Sequence, residues 1–282
     1  MVISHYLIKF FIFSFLGWLW ETIFCSIRTG HFQNRGFLFG PLCPIYGCCL
    51  IILQLLYDFI PAIHNGQLSV WQLFLISAVG SAIAEYLTSW YLEKRFHARW
   101  WDYSKVPLNI RGRICLPVTI CFGALGVVFV KFLIPLFERI PEPNPILLEI
   151  TVLVMTGLFC ADFALTEASL HDLVAKIEEA QKKYTDHMEN AFQSIVAIEH
   201  EASEKVNEIS SEAKKHLKDK ADSISEHLQD THSRIKTVAE SLSGYQRHIL
   251  RNMKKYRPNI HKQDVVNFGE ELRRFCRELR KK

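Results

Sequence analysis

Among the acidic side chains within apolar stretches of this 282-residue chain are Glu21, Glu85, Asp162 and Glu167. An ionisable group inside a membrane-crossing helix costs about 2.5–3.5 kcal/mol, so each marks either a site or an ion pair. Two intervening loops carry groups of complementary chemistry. The first, residues 30–41, holds Asn34 and Arg35 among three glycines. The second holds Trp101, Asp102 and Tyr103, followed by Asn109, Arg111, Gly112 and Arg113. A guanidinium presents a planar fork that fits carboxylate or phosphate. The candidate site is therefore Glu21, Asn34, Arg35, Glu85, Trp101, Asp102, Tyr103, Asn109 and Arg113. Such a set can bind an anionic substrate beside two carboxylates. It can also hold a lipid phosphate while Glu21 or Glu85 acts as acid or base, if burial shifts its pKa. The plainer reading is helix-to-helix ion pairing, which suits Asp162 and Glu167 best because they lie near the end of their segment. Lys94, Arg95 and Arg99 fit an interfacial anchor facing lipid phosphates. Asp102 and Asn109 are not required by an anchor.

The elements that position these residues are apolar segments of membrane-crossing length, roughly 18–25 residues. They are read at 5–27, 40–60, 70–92, 112–137 and 145–168. The first lacks a clean small-residue cleavage site, and Trp18, Trp20 and Glu21 interrupt it, so it is read as a retained span rather than a signal peptide. Arg28 and Arg35 follow the first span, and six Lys or Arg residues follow the third. The loop after the second has none, and the loop after the fourth has Arg139 alone. That alternation predicts an outside N-terminus, with both basic loops and the C-terminal region in the cytoplasm of a plasma-membrane protein. Glu21 and Glu85 then lie one and a half to two turns inside the cytoplasmic ends of their spans, at headgroup depth. Pro41, Pro44 and Gly47 predict a broken or re-entrant start to the second span, tolerated only where backbone is buried in protein or lines a cavity.

The whole-chain figures, 49% hydrophobic and a mean hydropathy of +0.09, conceal this division between membrane and charged helix. Of eight cysteines, seven lie in or beside the spans and read as small packing residues. Cys43, Cys48 and Cys49 have no nearby His to complete a metal set. The chain has no GxxxxGK[ST], HExxH or GxSxG motif, and nothing in it calls for a cofactor.

Trp18…Glu21, Asn34-Arg35-Gly36-Phe37-Leu38…Gly40-Pro41 and Pro44-Ile45-Tyr46-Gly47 form one motif. Glu85…Ser89…Glu93…Phe96, Trp101-Asp102-Tyr103-Ser104, Asn109 and Gly112-Arg113-Ile114-Cys115-Leu116 form another. Over residues 10–130 these resemble the ABC-transporter permeases of type IV. The chain departs from that pattern at Cys48-Cys49, where a further Gly is usual, and at Phe122-Gly123, where Trp-Gly is usual. The resemblance implies transport and, without a P-loop here, either a separate ATPase subunit or an ion gradient.

Between Pro145 and Pro258 there is no proline. Leu170, Val174, Ile177, Gln181, Tyr184, Met188, Ala191, Ile195, Ile198 and Ala202 step by four and three, a heptad seam. Four-residue stutters follow. The pattern resumes through Ile224, Leu228, Ile235, Val238, Leu242, Tyr245 and Ile249. The expectation is an all-α chain: a five-span membrane domain at 1–168, a cytoplasmic coiled-coil stalk at 169–255 and a basic C-terminal helix at 256–282. So narrow a stripe needs a partner, most simply a second copy in a homodimer, with a fold-back hairpin as the competitor. The basic end suits anionic membrane lipid, and no recognition motif argues for nucleic acid. Three functions stand open: a transport component, an enzyme or binder acting on lipid or lipid-linked headgroups, and a scaffold recruiting a cytoplasmic partner through the stalk.

Overall fold

The structure, a computed structural model, describes residues 2–30, 32–141, 144–204, 233, 235–256 and 272; for 183–204 and 255 it describes the backbone alone. It is helical throughout its larger elements. Among the described residues, four helices are long and apolar enough to cross a membrane: Val2–Thr29, Val70–Phe96, Leu116–Glu138 and Pro145–Lys182. The first is α1. The second expected span is a 16-residue helix, α2 (Pro44–Phe59), about 24 Å long against a hydrocarbon core of about 30 Å. A short turn of helix, α3 (Pro61–His64), follows it.

The reason α2 is short lies in the chain before it. Cys43 N–H donates to the Ser14 carbonyl at 2.9 Å, so the helix begins level with the middle of α1. From there α2 runs antiparallel to α1, and Tyr6 reaches Asp58 at 2.8 Å near its far end. Glycines permit the close approach. A side chain at Gly17 would collide with the Tyr46 ring, and one at Gly47 with Ser14 and Phe10.

A second helix pair repeats the device. α4 (Val70–Phe96) starts with a reciprocal Ser69–Gln72 capping box. It packs against α5 (Leu116–Val128), where Gly123 sits on Phe74 and Gly126 on Ser77. The fourth span then passes through a π turn (Phe129–Leu133) into α6 (Ile134–Glu138). Pro135 is the cause: it has no N–H, and its ring crowds the preceding turn. Ile134 N–H accordingly reaches back five residues to the Phe129 carbonyl. Phe129, Val130 and Ile134 pack with Phe13, Leu53, Tyr57, Ile63 and Leu73 in the main apolar cluster.

The chain divides into two compact units: Met1–Ser169 with Asn252–Lys255, and Leu170–Arg251 with Tyr256–Lys282. α7 (Pro145–Glu204) enters both. In the second unit Leu170, Leu173, Ile177 and Gln181 are buried, so Leu173 takes the place expected of Val174. Residues 235–241 are helical, and a break at Leu242-Ser243 precedes α8 (Gly244–Asn252). Ser243 and Gln246 cap that start reciprocally, at 3.0 and 3.2 Å. Ala239 and Gln246 are buried where the heptad reading favoured Val238 and Tyr245, and Tyr245 is 54% exposed. Gln246 Nε2 donates to Asp172 at 2.6 Å, so the chain returns beside its own start within this unit. The seam residues Tyr184, Met188, Ala191, Ile195, Ile198 and Ala202 fall where only backbone is described, and Ile224, Leu228 and the basic end at 257–282, Leu272 apart, lie outside the described residues.

Candidate functional site

The first basic loop folds inward. After α1 ends, Gly30 adopts φ +72°, and the chain turns back along the helix it has just left. Trp18 Nε1 donates to Asn34 Oδ1 at 2.6 Å, and Arg35 N–H donates to Thr22 Oγ1 at 3.4 Å. Leu38 is fully buried between the helices. Such backbone must find internal partners, and Asp162 of α7 supplies them. Its carboxylate accepts from Phe39 N–H at 3.1 Å and from Gly40 N–H at 2.9 Å. The expected cation partner for Asp162 is thus replaced by two amides, which bond a carboxylate without a counter-charge. Glu167 does meet a cation, Arg95, at 3.7 Å.

The second basic loop is a small folded structure. Strands β1 (Asn109–Ile110) and β2 (Ile114–Cys115) pair antiparallel. Arg111 and Gly112 between them have φ +53° and +69°. Asn109 fixes the turn: its Nδ2 donates to the Val106 carbonyl at 2.7 Å, and its Oδ1 accepts from Gly112 N–H at 2.9 Å. Asp102 accepts from Ser104 N–H at 3.1 Å. Trp101 Nε1 donates to the Arg113 carbonyl at 2.9 Å. Beneath the turn, Glu93 accepts from Arg99 Nη2 at 2.8 Å and from Arg113 Nη2 at 2.7 Å. Arg113 also lies over the Tyr86 ring, 5.1 Å from its centre. Arg99 is only 5% exposed. It is a buried strut rather than the lipid-facing anchor its neighbours suggested. Burial draws the Arg113 pKa down, but its hydrogen bonds and the Glu93 charge outweigh that and hold it above the usual guanidinium value.

The second loop and the start of α2 hold two carboxylates beside each other. Tyr46 OH donates to Glu21 Oε1 at 2.7 Å, and Tyr103 OH donates to Glu85 Oε1 at 3.3 Å. Burial pushes the Tyr103 phenol well up, and Glu85, Cys115 and Glu21 beside it add to the effect. Glu21, Tyr46, Glu85 and Tyr103 therefore make one cluster, with Phe122 edge-on to Tyr46. Glu85 is 8% exposed, and its Oε2 has no hydrogen-bond partner among the described residues. α4 continues to Phe96, so Glu85 lies eleven residues before its end, about 16 Å along the axis. Counted from residue 92, where the apolar stretch ends, it lies two turns in, and the helix itself runs one turn further.

Of the nine expected residues, Glu21, Glu85 and Tyr103 converge. Trp101 and Arg113 adjoin them through the loop. Asp102 and Asn109 build that loop's turns. Asn34 secures the first loop, and Arg35 contacts Cys25 Sγ at 3.2 Å and the Asn252 carbonyl at 3.4 Å. Sequence reasoning passed over Tyr46, Glu93 and Arg99. For Glu93 a signal was present: it follows Glu85 by eight residues and Ser89 by four, the spacing of one helix face. Among the described residues, no group of three or more His, Cys, Asp or Glu side chains could hold a metal ion.

A model of the family described as "Putative ABC-transporter type IV" matches residues 8–167, more than half of the chain. No curated protein and no solved structure matches it.

Proposed function

We propose a specific transport role from a premise that the match establishes: this chain belongs to the Putative ABC-transporter type IV family. With its apolar helices, that makes it a membrane protein related to transport. In our reading the chain is the membrane component of a transport system, and its substrate passes the Glu21–Glu85 cluster. One observation carries this reading: a buried, incompletely bonded Glu85 about 16 Å inside a helix of membrane-crossing length. Retaining such a group is costly unless it is used. The family match favours transport over headgroup chemistry.

The finer features follow the same reading. α2 crosses as a fifth span, its short length made up by the re-entrant chain before it. The N-terminus is outside, and the basic loops and the second unit are cytoplasmic. A separate ATPase subunit docks on that side, and the second unit supports self-association as a homodimer. Residues Arg35, Asn34, Trp101, Asp102, Asn109 and Arg113 frame the way in from the cytoplasm.

Native mass spectrometry of the purified full chain, wild type beside Glu85→Gln, tests the assignment. A small molecule retained by wild type and lost from the variant supports it. Identical spectra, together with turnover of an added phospholipid by wild type, overturn it in favour of the headgroup enzyme.

A further inference from the structure

The two carboxylates of the cluster are held by hydroxyl groups, not by cations. Among the described residues no Lys or Arg forms an ion pair with Glu21 or Glu85. Glu85 faces Tyr103 from the second basic loop, Glu21 from α1 and Cys49 from α2. Glu21 faces Tyr46 from α2, with Cys43 of the first loop beside it. Arg35 acts on Cys43 as Glu21 does, but directs its donors to Cys25 and Asn252. By contrast, Glu93 shares the same helix and takes two guanidiniums. The chain thus neutralises one acid of α4 with arginines and leaves the other, more deeply set, without any.

We infer that the Glu21–Glu85 pair is a proton-binding site, with the exchangeable proton on Glu85 Oε2. That oxygen is sealed from solvent and accepts no hydrogen bond, whereas Oε1 takes the Tyr103 hydroxyl. A neutral acid puts its proton on the oxygen that lacks a donor, and here Tyr103 occupies Oε1 and leaves Oε2 open to carry it. Two neighbouring carboxylates in a low-dielectric setting cannot both remain charged without a cation, and a single proton relieves the pair. A bare metal ion is a poor alternative, because the described residues offer no three-ligand set. Binding adds one H⁺ to a carboxylate and release removes it, with no oxidant or reductant involved. The site would let a proton gradient act on this chain directly. That use rests on the transport reading, but proton binding itself does not.

The test is infrared difference spectroscopy of the full-length protein in lipid across a pH titration, read in the C=O stretching region of protonated carboxyl groups. Wild type is expected to show a protonated carboxyl that Glu85→Gln removes. Tyr103→Phe is expected to keep the band and shift both its frequency and its midpoint, because the hydroxyl bonded to Oε1 is gone. Retention of the band in Glu85→Gln, or indifference to Tyr103→Phe, overturns the assignment. So does a wild-type band that sodium, potassium or tetramethylammonium ions abolish at constant pH, since the site would then be a cation site. Proteoliposome flux is measured separately: a Glu85-dependent band without flux in any condition would leave the proton site standing and sink the transport reading instead.

Discussion

The chain from 32 to 43 and the chain from 97 to 115 both fold against the helices they connect, but they are held in different ways. The first depends on a distant carboxylate: Asp162 lies 122 and 123 residues from the amides it holds. The second is held chiefly by residues within 20 positions of one another, Glu93, Arg99, Asp102, Asn109 and Arg113 among them, with Lys254 N–H on the Arg99 carbonyl at 2.6 Å as its distant tie. Closing a long loop costs more chain entropy than closing a short one. The side-chain network of the second loop can therefore form once its own helix pair exists, whereas the first loop gains its carboxylate only when the last span has docked. The second loop delivers Tyr103 to Glu85, while the first leads into α2, whose Tyr46 bonds Glu21, so the cluster joins a loop side chain to a helix one.

The sharpest way to break the contrast is at Glu93. Glu93→Ala leaves Arg99 and Arg113 buried without their shared carboxylate, at a cost of about 3 kcal/mol or more. Thermal unfolding in detergent, followed by tryptophan fluorescence, should show the largest loss in the set. A variant as stable as wild type would mean that the loop is not self-supporting.

Next comes a glycine comparison. Gly112 and Gly30 have nearly the same backbone angle, φ +69° and +72°, but a side chain at Gly112 would meet Ser104 and Asp102 while one at Gly30 would meet nothing. Gly112→Ala should cost about 2–3 kcal/mol, and Gly30→Ala about 1 kcal/mol from backbone strain alone. Equal melting temperatures for the two variants would remove the steric argument.

Asp162→Ala should cost about 2 kcal/mol by leaving two partly buried amides without their acceptor. Its effect should also be local. Alkylation at Cys43 should quicken in a background where the other cysteines are replaced, and tryptophan fluorescence from the second loop should not change. If both loops respond together, they are one cooperative piece.

The smallest effect is expected at Arg95→Ala. Its pairing with Glu167 is long and its partners are 48% and 37% exposed, so the change should stay within about 0.5 kcal/mol. A larger loss would give Glu167 a role that its geometry does not show.

The same contrast explains what the sequence could reveal. Asn34, Arg35, Asp102 and Asn109 stood out because turns advertise themselves in Gly, Pro and short polar side chains. The broken start of α2 was legible in Pro41 and Pro44. Asp162 was misread because a carboxylate in an apolar helix calls for a cation by default, and nothing in the chain marks the Phe39 and Gly40 amides as its partners. Arg99 was misread because it sits in a run of basic residues beside aromatic ones, where two exposed neighbours mask one buried member. In the second unit, heptad spacing left a choice between adjacent residues, Val174 or Leu173 and Tyr245 or Gln246, and only packing decides which of two neighbours faces inward. The distance of Glu85 from the end of α4 depended on where α4 stops, and its last turn is built from charged residues that hydropathy does not count.

The π turn before Pro135 changes the angular phase of the fourth span. A regular helix would place residues 129 and 134 on faces roughly 140° apart, yet Phe129 and Ile134 enter the same apolar cluster. The extra residue winds the chain without carrying it forward, so the cluster-facing stripe after Leu133 is read in a different frame from the stripe before it. Each part of this span can thus face its own neighbours, with Gly123 and Gly126 turned to α4 at one end and Ile134 to the common core at the other. A single helix thereby behaves as two rotors joined by a fixed offset.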